Sequence, residues 1–434
     1  VANAYLILSA LTALFVLNAY FPIRREPFSV VSFTLGWPGS ELALQNLFLG
    51  VVVTGLFAWA GAFSQWPSWV GLAVALFAWI GMIGLAASGH RASRLVVRAL
   101  DQATGPDLGP VAVPDHPEWG RWWRLTQAVP LRGRATGIVR NVDYAGDGIH
   151  AHRLDIIRSK VAPPRGAPVM VYLHGGAWVI GDKREQGKPM MYELVARGWV
   201  CVTVNYRLSP KATWPDHIED CLRAIAWVKQ HIAEYGGDPA FVALSGGSAG
   251  GHLAALAALA AGDPAFQPGF ESADTSVQAC IPFYGVMDLT GEASGSGRYG
   301  PGLLRLLERR VMKVRATEDP EVFRQASPTF RVGPQAPPFF VLHGRNDTLV
   351  PIEVARHFVT ALREVTRETV VFCELPNAQH AFDILASLRC QATTAGVVAF
   401  LDAVRSRRAA AGRADAEAAR AEAELGPGAV PQAG

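Results

Sequence analysis

Ser248 stands in the run Gly246-Gly247-Ser248-Ala249-Gly250, between a short apolar and β-branched stretch, Phe241 to Leu244, and an alanine-rich helical one. A serine hydroxyl is a weak nucleophile at neutral pH and needs a neighbouring base to take its proton. A sharp strand-to-helix turn lifts such a hydroxyl clear of the chain, and the flanking glycines let strand and helix approach closely. The base is predicted at His380, in Asn377-Ala378-Gln379-His380-Ala381-Phe382, which follows the apolar run Val370 to Leu375. An acid to orient it is predicted at Asp347, in His343-Gly344-Arg345-Asn346-Asp347, after the run Phe339 to Leu342. Glu219 and Asp220 are alternative acids, but they lie on the helical pattern His217 to Tyr235, ahead of the serine.

The chain order Ser248, Asp347, His380 is that of α/β-hydrolases and differs from the orders of trypsin-like and subtilisin-like enzymes, which favours Asp347. Upstream, Val169 to Leu173 leads into His174-Gly175-Gly176-Ala177-Trp178, which resembles the His-Gly-Gly-Gly loop of lipases and esterases. Residues 138–405 resemble a hormone-sensitive-lipase-type carboxylesterase. Asn205-Tyr206-Arg207-Leu208-Ser209-Pro210, Trp214-Pro215, Glu219-Asp220 and Gly236-Gly237-Asp238-Pro239 follow that family's pattern in order. With its apolar beginning, the chain resembles the actinobacterial membrane-anchored Lip-type esterases.

The resemblance implies an α/β-hydrolase fold, a Ser248-His380-Asp347 triad, and an oxyanion hole made by the backbone N–H groups of Gly175, Gly176 and Ala249. It also implies that His174 holds the oxyanion loop in shape. The expected reaction is hydrolysis of acyl esters through an acyl-enzyme, with no metal and no organic cofactor. Two positions depart from the pattern: Ala177 stands where glycine is usual, and Gly247 where aspartate is frequent. Ala177 still supplies an N–H, whereas Gly247 and the acid loop lean toward formamidase-like and feruloyl-esterase-like branches. An amidase or formamidase on the same triad, or a non-catalytic hydrolase-fold binding module, therefore stays open. His252 and His343 are read as packing residues. Cys201, Cys221, Cys280, Cys373 and Cys390 show no paired spacing and are expected as buried thiols.

Strand patterns fall at 138–144, 151–157, 168–173, 199–205, 241–246, 277–283, 338–343 and 369–375. Helical patterns near 186–197, 217–235, 249–261, 353–366 and 392–405 alternate with them, which predicts a mostly parallel eight-stranded sheet with helices on both faces. Asp288 to Ser327 is expected as a lid or pocket wall, with helical periodicity over Leu303 to Val314.

Half of the residues are hydrophobic and only 18% are charged, below the roughly 25% of soluble domains. Val1 to Tyr20, Leu42 to Phe63 and Trp66 to Ala87 hold no Asp, Glu, Lys or Arg, and each is near the ~20 residues that cross a bilayer. They predict a transmembrane region over 1–88, with spans at 1–20, 42–63 and 66–87. Arg24 and Arg25 follow the first span and Arg91, Arg94 and Arg98 the third, while the Ser64-Gln65 turn carries no charge. Positive-inside counting puts the amino terminus outside and the hydrolase domain (138–405) in the cytoplasm, in a multi-pass cell-membrane protein. Residues 89–137, where Trp119, Trp122 and Trp123 interleave with Arg121 and Arg124, are expected on the membrane surface and beside the active site. The expected partners are an acyl-ester or lipid substrate and membrane lipids. With a net charge of only +3 and no recognition module, nucleic acid is not expected. The membrane and catalytic parts are expected to be separable, and 406–434 to form a frayed helix and a disordered tail. Oligomeric state is not readable.

Overall fold

The β-branched runs form one eight-stranded sheet in the computed structural model, which describes residues 1–106, 108, 113, 133–161, 165–292 and 301–425. The strands are β1 (Thr136–Asp143), β2 (Arg153–Ser159), β3 (Ala167–Leu173), β4 (Val200–Val204), β5 (Gly237–Gly247), β6 (Ala279–Phe283), β7 (Phe339–Gly344) and β8 (Val370–Leu375). Their order is β1-β2-β4-β3-β5-β6-β7-β8. β2 runs antiparallel to β1 and β4, and every other pairing is parallel. Val169, Met170, Val171 and Leu173 are all fully buried. Both faces of these strands are covered, which is why they read as unbroken apolar runs rather than as alternation. β5 starts ahead of the predicted stretch because Gly237 already pairs with Ala167.

Crossover helices supply that cover: α5 (Lys188–Ala196), α6 (Asp216–His231), α7 (Ala249–Leu259), α10 (Ile352–Val365) and α11 (Leu388–Leu425), with the short α8 (Pro301–Leu306) and α9 (Pro320–Gln325) in the long insertion before β7. After α8 the chain widens into a π-helical turn, Leu307–Val311. The last helix outruns the predicted 392–405 and continues to Leu425.

Four helices precede the sheet: α1 (Ala2–Tyr20), α2 (Phe28–Glu41), α3 (Ala43–Trp59) and α4 (Trp66–Asp101). α1 and α4 are long and apolar enough to cross a membrane, and α2 with α3 could form a third span only as a pair bent by 86°. The second span expected over 42–63 corresponds to α3, which is helical over 17 residues. α3 ends at Trp59, and an unpredicted helix, α2, lies before it. Ala13, Val16, Ala78, Met82 and Leu85 bury one another between α1 and α4, while Leu11, Leu14, Phe48, Phe77 and Ile80 are exposed on the outer face.

The boundary expected near residue 88 is not a break. α4 runs through it as 36 continuous residues, about 54 Å at 1.5 Å per residue. Its last turns belong to the catalytic core, where Ala92, Val96, Ala99 and Leu100 pack with Phe340, Val398 and Leu401. Thr104 then bridges to Val370 at the edge of β8. The tryptophans expected on the membrane surface, Trp119, Trp122 and Trp123, lie outside the described residues.

Candidate active site

Parallel strands leave their carboxyl ends free for loops, and ligands in open α/β sheets bind there. Ser248 follows β5, Asp347 follows β7, and His380 follows β8. Ser248 adopts φ 57° and ψ −121° as the residue before α7. Such a left-handed backbone costs a non-glycine residue roughly 1–2 kcal/mol. The surrounding structure enforces it, since the Ser248 N–H donates to Phe283 O at 3.0 Å. The side chain of Ser248 is partly exposed. A Cβ at Gly250 would sit 2.1 Å from the carbonyl oxygen of Leu173, so only glycine lets α7 leave this close to β3.

Asp347 and His380, the acid and base expected from the sequence, are joined directly. His380 Nδ1 and Asp347 Oδ2 are 2.7 Å apart, and Asp347 is buried. The other carboxylate oxygen accepts the N–H groups of Leu349 at 2.8 Å and Val350 at 2.9 Å. Burial alone raises the Asp347 pKa, but His380 and His343 outweigh it and hold the carboxyl well below the usual range. His343 Nε2 donates to Val350 O at 2.9 Å and stands 3.4 Å from Asp347 Oδ2, behind the pair. Gln379 ties the two loops together, its Oε1 accepting from Thr348 N at 2.8 Å and His380 N at 3.0 Å. Among the described residues the Ser248 hydroxyl makes no hydrogen bond, to His380 or to any other group.

The alternative acids lie elsewhere. Arg207 binds Asp220 at 2.7 Å and Asp216 at 2.9 Å, with Glu219 at 3.8 Å. That cluster ties the loop after β4 to the start of α6.

The glycine loop after β3 departs from expectation in one detail. The Gly175 N–H donates to Gln186 Oε1 at 2.7 Å, so it is not free for an oxyanion. Gly176 and Ala177 are partly exposed, at φ 126° and 51°, and among the described residues no acceptor meets their N–H groups. The Ala249 N–H begins α7, where the first-turn amides have no helical partner and the dipole favours negative charge. The available donors are thus Gly176, Ala177 and Ala249. His174 lies under this loop, its Nδ1 2.9 Å from Gly175 O and its ring stacked on Tyr206 at 4.5 Å. Burial lowers its pKa, which keeps the ring neutral. His252 receives Trp178 Nε1–H at 3.2 Å and contacts Ala326 O at 2.7 Å, bracing the loop from below.

Other residues at the site carried no local signal. Tyr284 lies against His380, ring centroids 4.4 Å apart, and its hydroxyl donates to the buried Asp383. Burial pushes the Asp383 carboxyl up to about 6. A Cβ at Gly247 would stand 2.8 Å from the Tyr284 hydroxyl. That contact explains glycine before the nucleophile. On the opposite side α2 closes the site, with Phe33 edge-on to His380 at 5.9 Å and Trp37 Nε1–H donating to Ala381 O at 2.9 Å.

The chain is similar to known proteins over most of its length. The family profile described as BD-FAE matches residues 154–362. The chain is 44% identical to the probable carboxylic ester hydrolase LipM of Mycobacterium tuberculosis (strain ATCC 25618 / H37Rv), over 91% of its own length and 92% of that protein. It is 45% identical to the esterase LipQ of the same organism, over 76% and 79% of the two chains. A truncated carbohydrate esterase from gut microbiota superposes with a TM-score of 0.54 at 22% identity, covering 63% of this chain and 99% of the other. Esterase B of Lactobacillus rhamnosis gives 0.54 at 16% identity, over 74% and 98%. At such identities these two structures speak to the fold alone.

Proposed function

Because the chain belongs to the same α/β-hydrolase family as these mycobacterial proteins and is a carboxylic ester hydrolase, we propose that it is a membrane-anchored serine esterase acting on acyl esters that reside in or near the bilayer. The observation that carries this reading is the buried 2.7 Å contact between His380 Nδ1 and Asp347 beside a serine held on a strained elbow. With its proton on Nδ1, His380 leaves Nε2 free to accept the proton of Ser248 as the hydroxyl attacks the acyl carbonyl. The oxyanion develops against the N–H groups of Gly176, Ala177 and Ala249, each such donor being worth about a hundredfold to a thousandfold in rate. His380 then returns its proton to the leaving alcohol. Water attacks the acyl-enzyme by the same route in reverse.

α1 and α4 serve as membrane spans with α3 crossing between them after its bend from α2, and the Arg24-Arg25 end of α1 lies on the catalytic side, where Arg24 donates to Arg345 O at 2.7 Å. Tyr5 meets Phe63 at the opposite end of the bundle, ring centroids 5.5 Å apart, so Val1 and the Ser64-Gln65 turn share the far side. Counting positive charges puts that far side outside and the catalytic domain in the cytoplasm. Ser248→Ala is expected to abolish both ester hydrolysis and labelling by a serine-directed phosphonate, with the fold unchanged. Retained turnover would refute the assignment. Cysteine-accessibility labelling in intact cells tests the topology, which fails if an impermeant reagent reaches the catalytic domain.

A further inference from the structure

The loops that carry the acid and the base are clasped by the N-terminal helices at the residues on either side of the catalytic groups. Next to Asp347, Asn346 Nδ2 donates to Ala19 O at 2.9 Å, and Thr348 Oγ1 donates to Ser29 O at 2.9 Å. Next to His380, Trp37 Nε1–H holds Ala381 O at 2.9 Å, while Gln379 lies under Gly36, where a Cβ would come within 3.6 Å of its amide. Ala381 is held at φ 63°, a left-handed conformation that a non-glycine residue keeps only when its surroundings enforce it. The indole N–H of Trp37 and the backbone N–H of Ile384, at 3.2 Å, both hold the carbonyl of that residue, the neighbour that follows His380 in the chain. α2 is in turn pinned at its far end, where Glu41 forms a fully buried ion pair with Arg389 and accepts Ser387 Oγ–H at 2.7 Å. Helices that merely covered apolar surface would have no reason to place three hydrogen bonds on immediate neighbours of two catalytic side chains.

We propose that the α1–α2 corner is a positioning element of the catalytic site, so that turnover depends on the membrane-facing bundle being docked on the hydrolase domain. The proposal rests on the serine-esterase reading above. In it, the ends of α1 and α2 set the distance and angle between Asp347 and His380, and Phe33 limits the swing of the imidazole from the other side. Detachment of the bundle leaves the strands and the elbow in place but frees both loops. Catalysis is therefore linked to the anchored state without any moving lid.

The test uses the protein with its N-terminal helices in detergent micelles, p-nitrophenyl acetate as a soluble ester, and two variants that remove one hydrogen bond each while leaving an apolar side chain in place. Trp37→Phe loses the N–H to Ala381 O, and Thr348→Val loses the hydroxyl that bonds Ser29 O. Each is expected to lower kcat about fivefold, the effect of one net hydrogen bond, with KM unchanged. The rate of phosphonate inactivation should fall in step while labelling still reaches one per chain. An unchanged kcat with a lowered melting temperature overturns the proposal, since the contacts then only hold the bundle on. A change confined to KM also overturns it, because α2 is then a substrate wall. Should Trp37→Phe fail to fold, Thr348→Val alone decides. A wild-type protein that neither hydrolyses the ester nor takes the phosphonate at Ser248 refutes the esterase reading itself, whereas an active, labelled wild type with unaffected variants refutes the positioning role alone.

Discussion

Asp347→Asn inverts a single proton preference, and the structure dictates which way. One carboxylate oxygen already accepts two backbone N–H groups, from Leu349 at 2.8 Å and Val350 at 2.9 Å. The asparagine must keep its carbonyl oxygen there, because turning the amide round would set an NH2 against two donors and forfeit two hydrogen bonds, about 2 kcal/mol. The NH2 then faces His380 Nδ1, which lies 2.7 Å from the replaced oxygen. His380 can meet that donor only with an unprotonated Nδ1. Its proton is thereby driven onto Nε2, the nitrogen that has to be empty to receive the proton of Ser248. The expected loss in kcat is about four decades, or about 5.4 kcal/mol of transition-state stabilisation. Because the shape of the side chain and its two backbone contacts persist, the melting temperature should change little. Steady-state hydrolysis of p-nitrophenyl butyrate by purified variant and wild type measures the effect. A loss of less than tenfold would show that the tautomer of His380 is not governed by Asp347, and the reasoning from geometry would fail.

Glu41→Gln should be among the most destabilising changes outside the sheet, by about 3–5 kcal/mol, because it leaves the buried Arg389 without its counter-charge. The double change Glu41→Leu with Arg389→Met should restore most of that loss, as read from denaturation midpoints in detergent. Acid should also weaken the fold above the range of ordinary carboxylates, because burial depresses His217 and His252 to about 4. Both are neutral in the native state near pH 5 and charged once unfolded, so the stability they contribute is whole above about pH 6.5 and declines as pH falls toward 4. By pH 5 the loss is about 2 kcal/mol each. Asp383, raised to about 6, works in the opposite sense and returns part of it as it protonates. Melting temperatures measured between pH 7 and pH 5 should fall, and a flat profile would mean that these histidines are not held neutral.

The amino-acid sequence by itself determined the catalytic scaffold. Runs such as Val169 to Leu173 and Phe339 to Leu342 are too short for helices and too uniformly apolar for an exposed sheet, and they end in glycine-bearing loops. These are local properties, so strand positions and the strand-to-helix turn at Ser248 could be read directly. What tertiary structure decided is everything that depends on a partner distant in the chain. Gly175 reads as an oxyanion donor until Gln186, eleven residues on, takes its N–H. Phe28 to Glu41 contains Gly36, Pro38 and Gly39, which locally signal a break, yet it is helical because one face is fixed to the loops of Asp347 and His380 and its end to Arg389. In the same way α4 passes from apolar to polar composition near Ser88 without ending, since Val96 and Leu100 find their burial against α11 and the sheet. Periodicity and composition reach only a few residues along the chain. A hydrogen bond from Trp37 to Ala381, across 344 positions, leaves no trace in either.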